Sequence, residues 1–245
     1  MSNIFDLQKR QEAVQFVLTK RNITKTPVMR VGLALDVSGS AKPLYQRGII
    51  QSTIDRLVPV AMRFDDNGEM DVWTFHNTAQ QVASVTKQDM DGYVDREILN
   101  KRGVSLWGGT EYTPPMQAMR DFYFGGAKAA PASGSFLGKM FGGAKAAPAP
   151  TPSATSSVPA MALVLTDGEN TDREYTETFL RASVGLPVYW QMVGVGNPAY
   201  FKFIEEMADV LPNVGYVNLA SLEMSDEALY DQLLGQELCD WVKKY

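Results

Sequence analysis

The 245-residue chain predicts an α/β protein: a doubly wound, mostly parallel central sheet flanked by helices. Two observations carry that prediction. Segments 28–37 (VMRVGLALDV) and 158–167 (VPAMALVLTD) are near-continuous apolar runs ending on an aspartate. Strands buried on both faces of a parallel sheet read this way. Stretches of helical character then alternate with further strand-like runs, the pattern of βαβ units. At 45% hydrophobic and 21% charged residues the chain can bury a sizeable core.

In order, residues 4–20 read as a helix whose stripe is Ile4, Leu7, Val14, Val17 and Leu18, interrupted by Gln11. The strand at 28–37 follows, then a long helix over 44–63 that Pro59 should kink or shorten. DDNGEM (65–70) signals a turn, MDVWTFH (70–76) a strand, and QQVASV (80–85) its hairpin partner. Residues 87–101 read as helix, 103–110 as a loop, and 114–124 as a helix with prolines in its first turn. Residues 125–158 are rich in Gly, Ala, Pro and Ser and carry FGGAKAAPA twice, at 124–132 and 141–149. Two copies are too few for a solenoid, and a flexible insertion is expected there. The strand at 158–167, a helix at 173–183, a strand at 186–196, a helix at 198–210, a strand at 214–219 and one final helix at 225–243 complete the chain. The expected organisation is an N-terminal helix and connector over 1–26, then a domain over 27–245 interrupted at about 125–158.

The charge is −5, from 28 acidic and 23 basic residues, which argues against a broad nucleic-acid-binding face. The N-terminus places charges where a signal peptide needs an apolar core, and no stretch approaches the roughly 20 apolar residues of a membrane span. A cytoplasmic protein is expected. A single cysteine, Cys239, excludes an internal disulfide and a multi-cysteine zinc site, and is read as a packing residue. Residues 1–30 hold six basic and two acidic residues, while 205–245 hold nine acidic and two basic. Two solvated helical faces explain this most simply; attraction between the ends, or to a charged partner, is the alternative.

Three pieces lie where loops follow core elements: Asp36-Val37-Ser38-Gly39-Ser40, Gly108-Gly109-Thr110 and Thr166-Asp167-Gly168. In a doubly wound sheet the carboxyl ends of the strands form the ligand rim, and Asp36 and Asp167 belong there. Asp36, Ser38, Ser40, Thr110 and Asp167 supply two carboxylates and three hydroxyls, with no imidazole or thiol. Such a hard, all-oxygen set suits Mg²⁺ or Mn²⁺, and Ca²⁺ less exclusively. Taken singly, DVSGS is equally a polar turn. Asp65, Asp66 and Asn67 lack the spacing of a calcium loop and read as a solvated turn. His76, the one histidine, reads as a structural or surface residue; Trp107 fits either the core or the rim.

DVSGS matches the DxSxS motif of von Willebrand factor A (vWA) domains. With the threonine of GGT, 74 residues after Asp36, and the strand-ending TDG, it resembles that family's metal-ion-dependent adhesion site, the MIDAS. DDNGEMDVWTFH, GGTEYTPPM and LTDGENTD narrow the resemblance to the TerF-type vWA domain of tellurium-resistance operons. The resemblance implies a Rossmann-like vWA fold. It implies that Ser38, Ser40 and Thr110 coordinate a metal directly, and Asp36 and Asp167 directly or through water. It further implies recognition rather than turnover: a protein partner's acidic side chain completes the coordination, in a stress-response or phage-defence type of assembly. Trp107, Glu111, Tyr112, Glu169 and Asn170 are candidate rim residues. Two other classes compete. One is an Mg²⁺-dependent phosphoryl-transfer enzyme, although Ser38 stands where a dehalogenase-like phosphatase carries its second acid. The other is a structural component of a phage or secretion particle.

Overall fold

A computed structural model describes residues 2–65, 67–125, 158–219 and 224–245. Its strands are β1 (Arg30–Asp36), β2 (Asp71–Phe75), β3 (Ala79–Gln81), β4 (Ala160–Thr166), β5 (Val188–Gly194) and β6 (Val214–Asn218). They form one sheet in the order β3-β2-β1-β4-β5-β6, parallel throughout except for β3, which pairs antiparallel with β2. The apolar runs occupy the centre: every residue of β4 and β5 is buried.

The helices are α1 (Ser2–Lys20), α2 (Lys42–Gln46), α3 (Ile49–Phe64), α4 (Thr113–Phe124), α5 (Arg173–Ala182), α6 (Lys202–Val210), α7 (Asp226–Leu233) and α8 (Gln236–Val242). Side chains alternate across the sheet. Leu33, Leu163 and Val193 join the core under α1, α3, α7 and α8, while Ala34, Ala162 and Met192 join the core under α4, α5 and α6. The sheet is therefore covered on both faces, as expected.

Several elements differ from expectation. The helix expected over 44–63 is two: Gly48 takes a left-handed backbone (φ 70°) between α2 and α3. Pro59 does not end α3, which runs on to Phe64. A proline offers no N–H to the carbonyl four residues back; here that carbonyl, on Asp55, accepts a hydrogen bond from Arg10 Nη1 at 3.1 Å. Of the helix expected over 87–101 only residues 93–99 are helical, ending in the π-type turn Asp95–Leu99. The Asp89 carboxylate accepts from the Thr86 N–H and hydroxyl, and Gly92 is left-handed, so local turns win over the helix. The hairpin partner of β2 shortens to β3, with Val85 adding an isolated bridge to Met70. The final helix is two, broken at Leu234 and Gly235.

The oppositely charged ends meet, which corrects the solvated-face reading. Arg10 pairs with Asp226 at 3.2 Å, and Lys20 and Arg21 pair with Asp231 at 3.0 and 3.2 Å. The helix expected at the N-terminus thus docks onto the last helices and buries Val14, Val17 and Leu18. Asp66 and the repeat-bearing insertion, apart from its two end residues, lie outside the described residues.

Candidate metal centre

The order of the sheet sets the place of the site. β2 and β3 lie on one side of β1, and β4 to β6 on the other, so the winding reverses between β1 and β4. Loops leaving the carboxyl ends of such neighbouring strands diverge and open a crevice. Asp36 ends β1, and Asp167 directly follows β4.

Asp36 is 1% exposed. Its Oδ1 accepts the Ser38 N–H and its Oδ2 the Thr166 hydroxyl, each at 2.7 Å. Ser38 Oγ lies 3.0 Å from Ser40 Oγ, and the Ser40 hydroxyl donates to Asp167 Oδ1 at 3.0 Å. With its one proton on Asp167, Ser40 can only accept from Ser38, which leaves the Ser38 oxygen with free lone pairs. Four of the five expected residues are thereby joined in one hydrogen-bonded chain. Thr110 does not join it; its loop approaches through the bridge of Gly108 to Ser38. Its carbonyl accepts from the Thr171 N–H and hydroxyl at 2.9 and 3.1 Å, and among the described residues no hydrogen bond links its hydroxyl to the other four.

Burial pushes the Asp36 carboxyl up to about 6, against the hydrogen bonds of Thr166 and Ser38, and burial also raises Asp167. Among the described residues no basic side chain pairs with either acid. Two desolvated acids facing one another without a counter-charge are costly when ionised, and a cation between them would lower that cost. No three of His, Cys, Asp and Glu gather into a ligand group among the described residues. The donor set is therefore rich in hydroxyls, and it fits a hard divalent cation.

Loop packing explains the glycines. The Ser38 and Gly108 segments bridge as a short parallel pair, and the Gly39 N–H donates to the Gly108 carbonyl at 2.9 Å. A Cβ on Gly108 would stand 2.7 Å from the His76 ring, and one on Gly109 would stand 2.8 Å from the Asn77 amide. His76 thus acts as packing behind the loop. Trp107 holds a left-handed backbone (φ 65°), uncommon for a bulky residue. Its N–H donates to the Val37 carbonyl, and its ring stacks edge-on to Tyr45, whose hydroxyl donates to the Asp36 carbonyl at 2.9 Å. The Lys42 ammonium lies 5.6 Å from that ring, so Trp107 is partly core and partly rim.

Of the other candidate rim residues, Glu169 is exposed and pairs with Arg173, and Glu111 accepts from the Asn77 amide. Tyr112 and Asn170 are buried and correct the expectation. The Tyr112 hydroxyl donates to the Gly168 carbonyl, and the Asn170 amide donates to Asp172 and Thr176.

The family described as the vWA domain found in the TerF C terminus matches residues 28–141 and 145–245. The chain belongs to this family. Protein YcbR of Bacillus subtilis, itself uncharacterized, is 33% identical over 244 residues, covering 98% of this chain and 86% of YcbR. Two structures of proximal thread matrix protein 1 from the mussel byssus share the fold, at 17 and 18% identity and TM-scores of 0.50 and 0.52. Each aligns over 87% of this chain, which spans 46% of the mussel chain; the second has a zinc-occupied MIDAS motif.

In this vWA domain, sequence reasoning missed the residues that hold the donors. Thr166 was visible only as the first letter of TDG; its role needs the pairing of β1 with β4. Asp172 accepts the Tyr112 and Thr113 N–H groups at 3.0 and 2.9 Å, tying the start of α4 to the loop after β4. An aspartate closing LTDGENTD carried no signal of that contact.

Proposed function

We propose that the chain is a divalent-metal-dependent protein-interaction module in which Asp36, Ser38, Ser40, Thr110 and Asp167 hold the ion and a partner's carboxylate completes its coordination. The observation that carries this reading is a buried Asp36 and a half-buried Asp167 at the switch point, joined through serine hydroxyls and, among the described residues, lacking a basic partner. The bound ion would supply an electrophilic, oxygen-seeking point at the rim. The chain's own residues do the rest. Thr166 and the Ser38 N–H orient Asp36, Ser40 orients Asp167, and Trp107 with Tyr45 braces the loop between them. Binding is proposed and turnover is not, so no catalytic residue is assigned. The module spans 27–245, with 1–26 as a helix and connector seated on it, in a cytoplasmic, stress-related or phage-defence setting. Among the described residues no helix is long and apolar enough to cross a membrane.

Mg²⁺ or Mn²⁺ is the proposed ion, with Ca²⁺ weaker. The zinc in the mussel protein's motif makes Zn²⁺ a necessary comparison. Thermal unfolding tests the reading, in EDTA and in each metal, with and without acetate as a stand-in for the partner carboxylate. A ligand that binds only the folded state at 100 times its Kd adds about 2.7 kcal/mol. Wild type should melt higher in at least one metal, and Asp36→Ala should not respond. Equal melting in EDTA and every metal, with acetate present, contradicts the reading.

A further inference from the structure

The sheet has a second feature, far from the switch point. Among the described residues β6 is an edge strand, bonded only to β5. The Trp190 N–H donates to the Asn213 carbonyl and the Leu219 N–H to the Gly194 carbonyl, at 2.8 and 2.7 Å. In a parallel ladder alternate residues face opposite edges. Residues 213, 215, 217 and 219 thus face β5, and the N–H and C=O groups of Tyr216 and Asn218 face outward. An edge of this kind is a template for one more strand.

Beside this edge lies a pocket of about 220 Å³, lined by residues of β5, β6, α6, α7 and α8. It is small for a drug-sized ligand and suited to one side chain. Gly215 opens it: a Cβ there would stand 2.6 Å from the Tyr189 hydroxyl and 2.9 Å from Gln191 Oε1. Tyr189 and Gln191 are 1% and 2% exposed, yet their polar tips reach the pocket without partners. Among the described residues the Tyr189 hydroxyl makes no hydrogen bond, Gln191 Oε1 accepts none, and Gln191 Nε2 reaches only the neighbouring Met192 carbonyl at 3.5 Å. Polar tips on a pocket wall with no protein partner are available to hydrogen-bond a ligand. Asp209 and Glu237 also line the pocket, and no lysine or arginine does. Oxygen acceptors and two acids without a counter-charge select a cationic donor.

We propose that the open edge of β6 receives an extended, basic segment of a partner protein as an added strand, with one arginine or lysine side chain entering the pocket beneath Gly215. The inference does not rest on the metal reading, and the two sites lie at different parts of the sheet.

The test uses the full chain and three fluorescein-labelled heptapeptides of alternating threonine and valine, with arginine, leucine or glutamate at the centre. Binding is followed by fluorescence anisotropy in EDTA and again in Mg²⁺. The arginine peptide should bind at least about tenfold more tightly than the other two, the usual scale for a hydrogen bond to a charged group. Metal should not change this, so failure of the metal site leaves the result intact. Gln191→Leu should weaken the arginine peptide about tenfold and leave the leucine peptide unchanged. Glu237→Gln, on the exposed surface, should weaken it several-fold and reduce its salt dependence; it covers the case in which Gln191→Leu does not fold. At saturation the Tyr216 and Asn218 amides should gain protection from hydrogen exchange. No binding, equal binding of the arginine and leucine peptides, or binding without protection of those amides overturns the proposal.

Discussion

Gly108 shows how single residues shape the rim. Its missing side chain lets the loop press on His76, with 2.7 Å between a would-be Cβ and the ring. Gly108→Ala should cost about 1–3 kcal/mol, the usual range for overpacking. His76→Ala in the same chain should recover most of that loss, measured as urea midpoints of the two single variants and the double. If the double variant is no more stable than Gly108→Ala, the contact is not the cause. Residue-level legibility followed the same logic. Asp36, Ser38 and Ser40 were readable because hard donors two residues apart in one tight loop converge through local geometry alone. Thr166 was not, since a threonine ending a strand looks like any strand residue until β4 is laid beside β1. Tyr112 looked like a rim aromatic and is instead a buried strut, because its hydroxyl finds the Gly168 carbonyl.

At the scale of elements, α4 begins on a carboxylate from another loop. Burial pushes the Asp172 carboxyl up, but hydrogen bonds from Thr113, Asn170 and Tyr112 outweigh it and hold the group below its ordinary 3.8. Asp172→Ala should cost about 1–2 kcal/mol, the range of a lost helix cap. A depressed carboxylate stabilises the fold above its unfolded pKa and loses that effect as pH falls through its folded pKa. The gap between wild type and Asp172→Ala should therefore hold from pH 7 to about 5 and shrink below about 4, near the unfolded value. A gap independent of pH would contradict the assignment. A second element-scale contact joins α1 to α3, where Arg10 serves the Asp55 carbonyl that Pro59 leaves without its helical N–H. Arg10→Met should destabilise the fold by about 1–2 kcal/mol. The loss should be smaller in a Pro59→Ala background, where the new N–H takes the carbonyl over; additive losses in that double-mutant cycle would contradict it. The strands were legible in sequence because a central parallel strand must be apolar on both faces. The breaks at Gly48 and Leu234 were not, because helical periodicity carries across a short interruption. The segment 87–92 misled for the opposite reason: its helical composition yields to the Thr86–Asp89 turn and Gly92.

At the scale of the molecule, the fold places a buried Asp36 and a half-buried Asp167 where loops diverge, and it ties its own ends together through Arg10, Lys20, Arg21, Asp226 and Asp231. Charge asymmetry between the termini announced an attraction, but only the packing of α1 on α3 and α7 makes it internal. Membership of the vWA-TerF-like family fixes the architecture around the acids and leaves their occupancy to experiment. The most direct test is a Mn²⁺ titration followed by the electron paramagnetic resonance signal of the free ion, on wild type and an Asp36→Ala/Asp167→Ala variant with unchanged circular dichroism. The account predicts one Mn²⁺ held per wild-type chain and none by the variant. Undiminished binding by the variant, or none by wild type with acetate present, would contradict it.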